Sequence, residues 1–122
     1  MKSIEKEKLN YNKRIHNLNQ KITRIISENN LKNIVIFGAG DHTKQLLKFP
    51  ELKKVNIDFI VDNNKQKWNT EFCNYKVYPP EKIDNKVENI LISSKSFEKE
   101  IYEQLIKMGI SKNKIFRLYI PN

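Results

Sequence analysis

Cysteine occurs once in these 122 residues, at Cys73, so no internal disulfide is available. No window approaches ~18 consecutive apolar residues, which excludes a membrane-spanning helix. The start of the chain, Met1-Lys2-Ser3-Ile4-Glu5-Lys6-Glu7, lacks the apolar core of a signal peptide. Together these absences point to a reducing, cytoplasmic setting. Two histidines and one cysteine, widely separated, are too few to hold a metal, so none is expected. No internal repeat is visible. No basic cluster is interleaved with aromatics. The net charge of +9 is instead explained by composition: Lys, Asn and Ile, all read from A- and T-rich codons, supply 53 of the residues. A nucleic-acid partner is therefore not expected. The length suits one domain with a core that needs no covalent staple.

Residues 4–28 contain neither Gly nor Pro. Ile4, Lys8, Tyr11, Ile15, Leu18, Ile22 and Ile25 recur at spacings alternating between four and three, the seam of a helix with a 3.5-residue repeat. Two readings stay open. The stripe either packs on its own domain or pairs with a second chain, giving a homodimer through residues 4–25. Asn29-Asn30 ends this helix. The chain thus divides into an amphipathic N-terminal helix, 1–32, and a second unit, 33–122.

In the second unit, short apolar runs alternate with helical patterns. Asn33–Phe37 is a β-branched run ending at Gly38-Ala39-Gly40, followed by a helical pattern that stops at Pro50. Ile57–Val61 is a second run, ending at Asp62-Asn63-Asn64. Tyr75–Tyr78 fits a short edge strand, and Pro80-Glu81 opens a short helix. Glu88–Ile92 is a third core run, ending at Ser93-Ser94. Ser96 reads as the N-cap of a helix with Ile101, Leu105 and Ile106 on its buried face and Gly109 as C-cap. Ile115–Tyr119 is the last strand. Strands alternating with helices imply an α/β, three-layer domain whose mostly parallel sheet has about four to five strands. The Ile34 strand belongs in the centre, with the Ile57 strand on one side and the Glu88 strand on the other. Ligands bind such sheets at the carboxyl ends of the strands, where the order reverses.

Gly38-Ala39-Gly40-Asp41-His42-Thr43 lies at that point, after a strand and opening a helix. A turn without Cβ atoms lets an anionic group approach the helix amides. Thr43 stands where a third glycine is usual, and Asp41 opposes a phosphate directly above it. Asp62 follows Gly40 by 22 residues at the end of the second strand, where a carboxylate accepts ribose hydroxyls. The alternative is that Asp62 caps a turn with Asn63 and Asn64. His42 is the candidate for acid–base work, or a second-sphere residue. Ser93 and Ser94 close the other side, contacting a phosphate or sugar or capping the strand end. Trp68, Phe72 and Tyr75 are read as anchors of the long loop, and Cys73 as a packed or partly exposed thiol.

Four segments in this order, IVIFGAGDHT (34–43), FIVDNNKQKW (59–68), NYKVYPPE (74–81) and ILISSKSFEKEI (90–101), resemble a family of small Rossmann-like domains in bacterial glycan and polysaccharide biosynthesis proteins. A more distant likeness is to the N-terminal domain of sialic-acid-type sugar acetyltransferases, whose turn also reads Gly-x-Gly-x-His. The resemblance covers about residues 33–120 and not the N-terminal helix. It implies a module that binds a nucleotide sugar or NAD(P) beside a glycosyltransferase or methyltransferase partner, without carrying the chemistry itself. By position it places Gly38, Gly40, His42 and Thr43 in the first loop, Asp62 after the second strand and Ser93-Ser94 after the third. The acetyltransferases' catalytic β-helix has no counterpart, since no hexapeptide repeat is present. Two other readings remain: a scaffolding domain with a degenerate pocket, dimerising through its helix, and a small nicotinamide- or nucleotide-sugar-dependent enzyme.

Overall fold

A computed structural model describes residues 3–119. The chain begins with α1 (Ser3–Glu28), continues through β1 (Asn33–Phe37), α2 (Asp41–Leu46), β2 (Asn56–Val61), β3 (Glu71–Phe72), β4 (Tyr75–Tyr78) and β5 (Ile90–Ile92), and closes with α3 (Glu98–Lys107) and β6 (Ile115–Phe116). The sheet order is β3-β4-β2-β1-β5-β6. All pairings are parallel except β3 with β4. The direction of strand addition reverses between β1 and β5, as the sequence pattern requires.

Alternation along β1 divides the core in two. Ile34 and Ile36 face one side, where they join Leu46 of α2 and Leu18, Ile22 and Ile26 of α1. Val35 and Phe37 face the other, with Ile90 and Ile92 of β5 and Ile101 and Leu105 of α3. The register between β1 and β2 slips by one residue, so Ile34 pairs with Ile57 but Val35 with Phe59. Asp58 is the extra residue of this bulge. The slip puts Ile57 and Ile60 on the same face, three apart, and keeps Asp58 exposed.

Helix α1 resolves part of the open question about its stripe. Its C-terminal half packs on this chain's own sheet through Leu18, Ile22 and Ile26, with Ile15 and Ile25 partly buried beside them. Its N-terminal half runs past the core, leaving Ile4 69 % and Leu9 50 % exposed.

Five local expectations are corrected. The sheet has six strands, because a two-residue β3 forms a hairpin with β4. Cys73 and Asn74 make its turn, both with positive φ (51° and 69°). β4 therefore lies inside the sheet rather than at its edge. The helical pattern after the glycine turn ends at Leu46, and Pro50–Lys54 forms a separate 3-10 turn. Ser96 caps nothing: Phe97 is the N-cap residue of α3, and its N–H donates to Ser94 Oγ at 3.0 Å. The last strand stops at Phe116 rather than Tyr119. Glu98, 2 % exposed, accepts the N–H groups of Leu118 (2.9 Å) and Tyr119 (3.1 Å) and pulls those residues off the sheet.

Candidate functional site

The carboxyl ends of β1, β2 and β5 open into a crevice of about 700 Å³. It is lined by the glycine turn, the Asp62–Asn64 segment, Ser93–Phe97 and the first turn of α3.

The two glycines of the turn have different reasons to be there. Gly38 has φ +127°, and a Cβ on it would lie 2.5 Å from the Ser93 carbonyl oxygen. The close approach of β1 to β5 therefore demands glycine whether or not a ligand binds. Gly40 is extended (φ −137°, ψ −163°), which any residue adopts. A Cβ there would meet only the Lys67 ammonium, at 4.0 Å. Nothing in this chain's own packing requires glycine at 40, and the missing side chain leaves room beside a cation.

Asp62 ties the turn to β2. One carboxylate oxygen accepts the Ala39 N–H and the other the Asn64 N–H, both at 2.8 Å. Lys67 Nζ donates to the Ala39 carbonyl (2.7 Å) and lies 3.9 Å from the Asp62 carboxylate. Asp62 thus caps the turn, and its side chain stands in the crevice wall. Trp68 anchors the following loop, its indole N–H donating to the Asp62 carbonyl at 2.7 Å. Asn63 is turned away from the turn and exchanges two hydrogen bonds of 2.9 Å with Gln104 of α3.

A chain of side chains runs behind the glycine turn. Tyr119, His42, Ser93 and Thr43 are joined in sequence, with Tyr119 Oη on His42 Nε2, His42 Nδ1 2.7 Å from Ser93 Oγ, and Ser93 Oγ 2.7 Å from Thr43 Oγ1. Thr43 ends it by donating to the Gly38 carbonyl at 2.6 Å. That carbonyl only accepts, so the directions as far as His42 Nδ1 follow, and for a neutral imidazole that at Nε2 as well. Thr43 uses its one proton on Gly38, Ser93 donates to Thr43, and His42 donates from Nδ1 to Ser93. Nε2 then accepts from the Tyr119 hydroxyl. Burial pushes the imidazole below its usual pKa of 6.5, while the charge of Glu98 acts in the opposite sense. Burial, and then Glu98, pushes the Tyr119 phenol up. His42 is thus a neutral link with both nitrogens engaged, and neither is presented to a substrate.

The structure brings Gly38, Ala39, Gly40, Asp41, His42, Asp62, Asn63, Ser93 and Ser94 around one crevice. Thr43 is fully buried behind it. Three residues there carried no signal in the sequence. Lys67 reaches back 28 positions to the glycine turn. Phe97, 64 % exposed, stands at the crevice mouth. Tyr119 meets His42, with its backbone N–H held by Glu98. Among the described residues no cluster could hold a metal ion.

Residues 30–116 match the family described as C2185-like, N-terminal. The chain belongs to that family. No curated protein matches it. Among solved structures it is similar to UDP-D-quinovosamine 4-dehydrogenase from Vibrio fischeri, with a TM-score of 0.55, 22% identity, and coverage of 75% of this chain and 80% of the other. It is also similar to RSP, a Rex-family repressor, with a TM-score of 0.55, 19% identity, and coverage of 84% of this chain and 55% of the other. The same protein in complex with β-NADH gives a TM-score of 0.51 at 18% identity, over 75% of this chain and 49% of the other. The chain thus spans about half the length of the repressor. These likenesses show that the fold is Rossmann-like.

Proposed function

We propose that the crevice binds a nucleotide-bearing ligand, a nucleotide sugar or an NAD(P)-type dinucleotide. The observation that carries this reading is the open space at Gly40 beside the Lys67 ammonium, which suits a phosphate. Phe97 at the mouth offers an aromatic face to a base, and the Asp62 carboxylate accepts ribose hydroxyls. Neighbours of the same fold are described as a dehydrogenase of a UDP-sugar and a repressor in complex with NADH, which supports this ligand class. Because both His42 nitrogens are engaged, the chain acts as a binding module, and a glycosyltransferase or methyltransferase partner in bacterial surface-glycan assembly supplies the chemistry. That setting rests on the resemblance of the four quoted segments and places the module in the cytoplasm. On this reading the helix 1–32 serves packing or oligomerisation and 33–122 is the binding unit.

A second reading, a scaffold that dimerises through residues 4–25, is favoured by the exposed Ile4 and Leu9 beyond the core. Sedimentation at micromolar concentration separates monomer from dimer.

Thermal unfolding against UDP-, GDP- and CMP-sugars, NAD(H) and NADP(H) tests the binding reading. A ligand at 100 times its dissociation constant adds about 2.7 kcal/mol, which for this size is a rise of roughly 10 °C. Gly40→Val tolerates the local backbone and fills the space, so it abolishes the rise while leaving the free protein folded. A rise that survives Gly40→Val refutes the site, and a flat panel refutes the ligand class.

A further inference from the structure

A second concavity, about 760 Å³, lies between α1 and α2 and meets the crevice only at Asp41, His42 and Lys95. Its walls carry Arg14 and Lys21 from α1, Lys44 and Lys48 from α2 and the turn after it, and Lys95 from the loop after β5, against the single acid Asp41. Among the described residues none of these five cations is in an ion pair. Arg14 and Lys21 stand seven residues apart on α1, about 10 Å along its axis, and Lys21 and Lys95 share the Tyr119 ring, so neighbouring charges lie within about one Debye length at 0.1 M salt. They repel one another, and an anion placed among them relieves that repulsion. The floor is apolar, made by Ile15, Leu18 and the Tyr119 ring. Lys21 and Lys95 hold their ammonium groups 5.3 and 5.7 Å from that ring's centroid. Lys21 also donates to the Leu118 carbonyl at 2.8 Å, which ties α1 to the base of the groove. Tyr11, half exposed, adds an aromatic face at the rim.

From this arrangement we infer that the α1–α2 groove is a binding site, separate from the crevice, for a small soluble organic phosphate with a planar or apolar body. The Lys44 ammonium stands 5.9 Å from the centroid of the Phe72 ring, which does not line the groove; the other four cations against one acid still call for more than one negative charge, which a phosphate dianion supplies and a carboxylate does not. Arg14 offers a planar fork to phosphate oxygens. Inorganic phosphate leaves the apolar floor uncovered, so the body contributes to affinity. The groove's volume, about 760 Å³, is that of a small-molecule site.

The probes are 1-naphthyl phosphate, inorganic phosphate and 1-naphthol, titrated into the full chain and followed by backbone amide shifts. Naphthyl phosphate is expected to move the amides of Arg14, Lys48 and Tyr119 saturably, with an affinity at least tenfold above either fragment. Arg14→Glu with Lys48→Glu, both exposed positions, is expected to weaken it at least tenfold, and Gly40→Val to leave it unchanged. Equal affinity for inorganic phosphate would reduce the groove to a diffuse counter-ion surface and overturn the inference. Shifts confined to Gly40 and Asn63 and lost in Gly40→Val would also overturn it, while supporting the crevice. Arg14- and Lys48-dependent sedimentation with phosphatidylglycerol vesicles, without binding of naphthyl phosphate, would assign the groove to a membrane surface instead.

Discussion

The Asp62 carboxylate accepts the backbone N–H of Ala39 at 2.8 Å and, beside the Gly38 N–H to Val61 carbonyl bond of 2.8 Å, joins the end of β2 to the glycine turn after β1. Asp62 is thereby a part of the fold before it is a ligand contact. Asp62→Ala removes the acceptor of two backbone N–H groups, one of them on Ala39, which is 3 % exposed. Leaving such donors unmet costs about 1–3 kcal/mol. The expected outcome is a ligand-free midpoint lower by roughly 4–11 °C in calorimetry. An unchanged midpoint would mean that water replaces the carboxylate. Loss of ligand binding in this variant therefore needs Gly40→Val beside it for interpretation.

The two glycines are expected to respond oppositely to alanine. Gly38→Ala combines φ +127° with a 2.5 Å contact to the Ser93 carbonyl, so the strand ends must part. A loss of more than about 2 kcal/mol is expected. Gly40→Ala sits at an ordinary φ with open space and stabilises the free protein by about 0.4–1 kcal/mol. Urea unfolding of both variants measures this, and equal losses would contradict the division of roles.

His42 gives stability a pH dependence whose sign is fixed. Burial lowers its pKa in the folded state below the ordinary 6.5, so the unfolded chain takes up the proton first. Its contribution is whole above about pH 6.5, declines as pH falls from there to the lowered folded value, and is constant below. His42→Asn retains an amide N–H toward Ser93 and has nothing to titrate. The stability difference between the two proteins is expected to be flat above pH 7 and to move in the variant's favour on acidification. A flat difference from pH 7 down to pH 4 would show that the imidazole is not buried as neutral.

Along α1, the effect of truncation is expected to change with position. Ile22, 1 % exposed, is a core residue, and Ile22→Ala costs about 2–4 kcal/mol. Leu9→Ser, half exposed, changes a monomer's stability by less than about 0.5 kcal/mol. A concentration-dependent midpoint that Leu9→Ser removes would instead reveal a second copy of the helix.

Much of this protein was legible in its sequence. β1 starts and ends where its β-branched run does, because residues buried on both faces leave a continuous apolar signature. The central place of β1 and the reversal beside β5 followed from alternation and short connections. The glycine turn, Asp62 and Ser93 were brought together by their positions at strand ends, which topology fixes. The two-residue β3 escaped, since it is too short for a periodic signal, and β6 was found but drawn three residues too long. The two roles of the glycines could not be separated either, because a backbone angle and the distance to Ser93 are not written in residue types.

What the sequence determined alone is therefore local and periodic: which segments are strands or helices, which faces are apolar, and where the ends of β1, β2 and β5 must converge. What only the tertiary structure decided depends on residues far apart in the chain. Lys67 reaches the glycine turn, Glu98 pulls Leu118 and Tyr119 from the sheet, and Tyr119 closes the proton-ordered chain through His42. The groove between α1 and α2 exists because the second half of α1 finds its partner in this chain's own core. Period and composition specify a face. The partner it meets is set by which buried groups must be satisfied once the chain is compact.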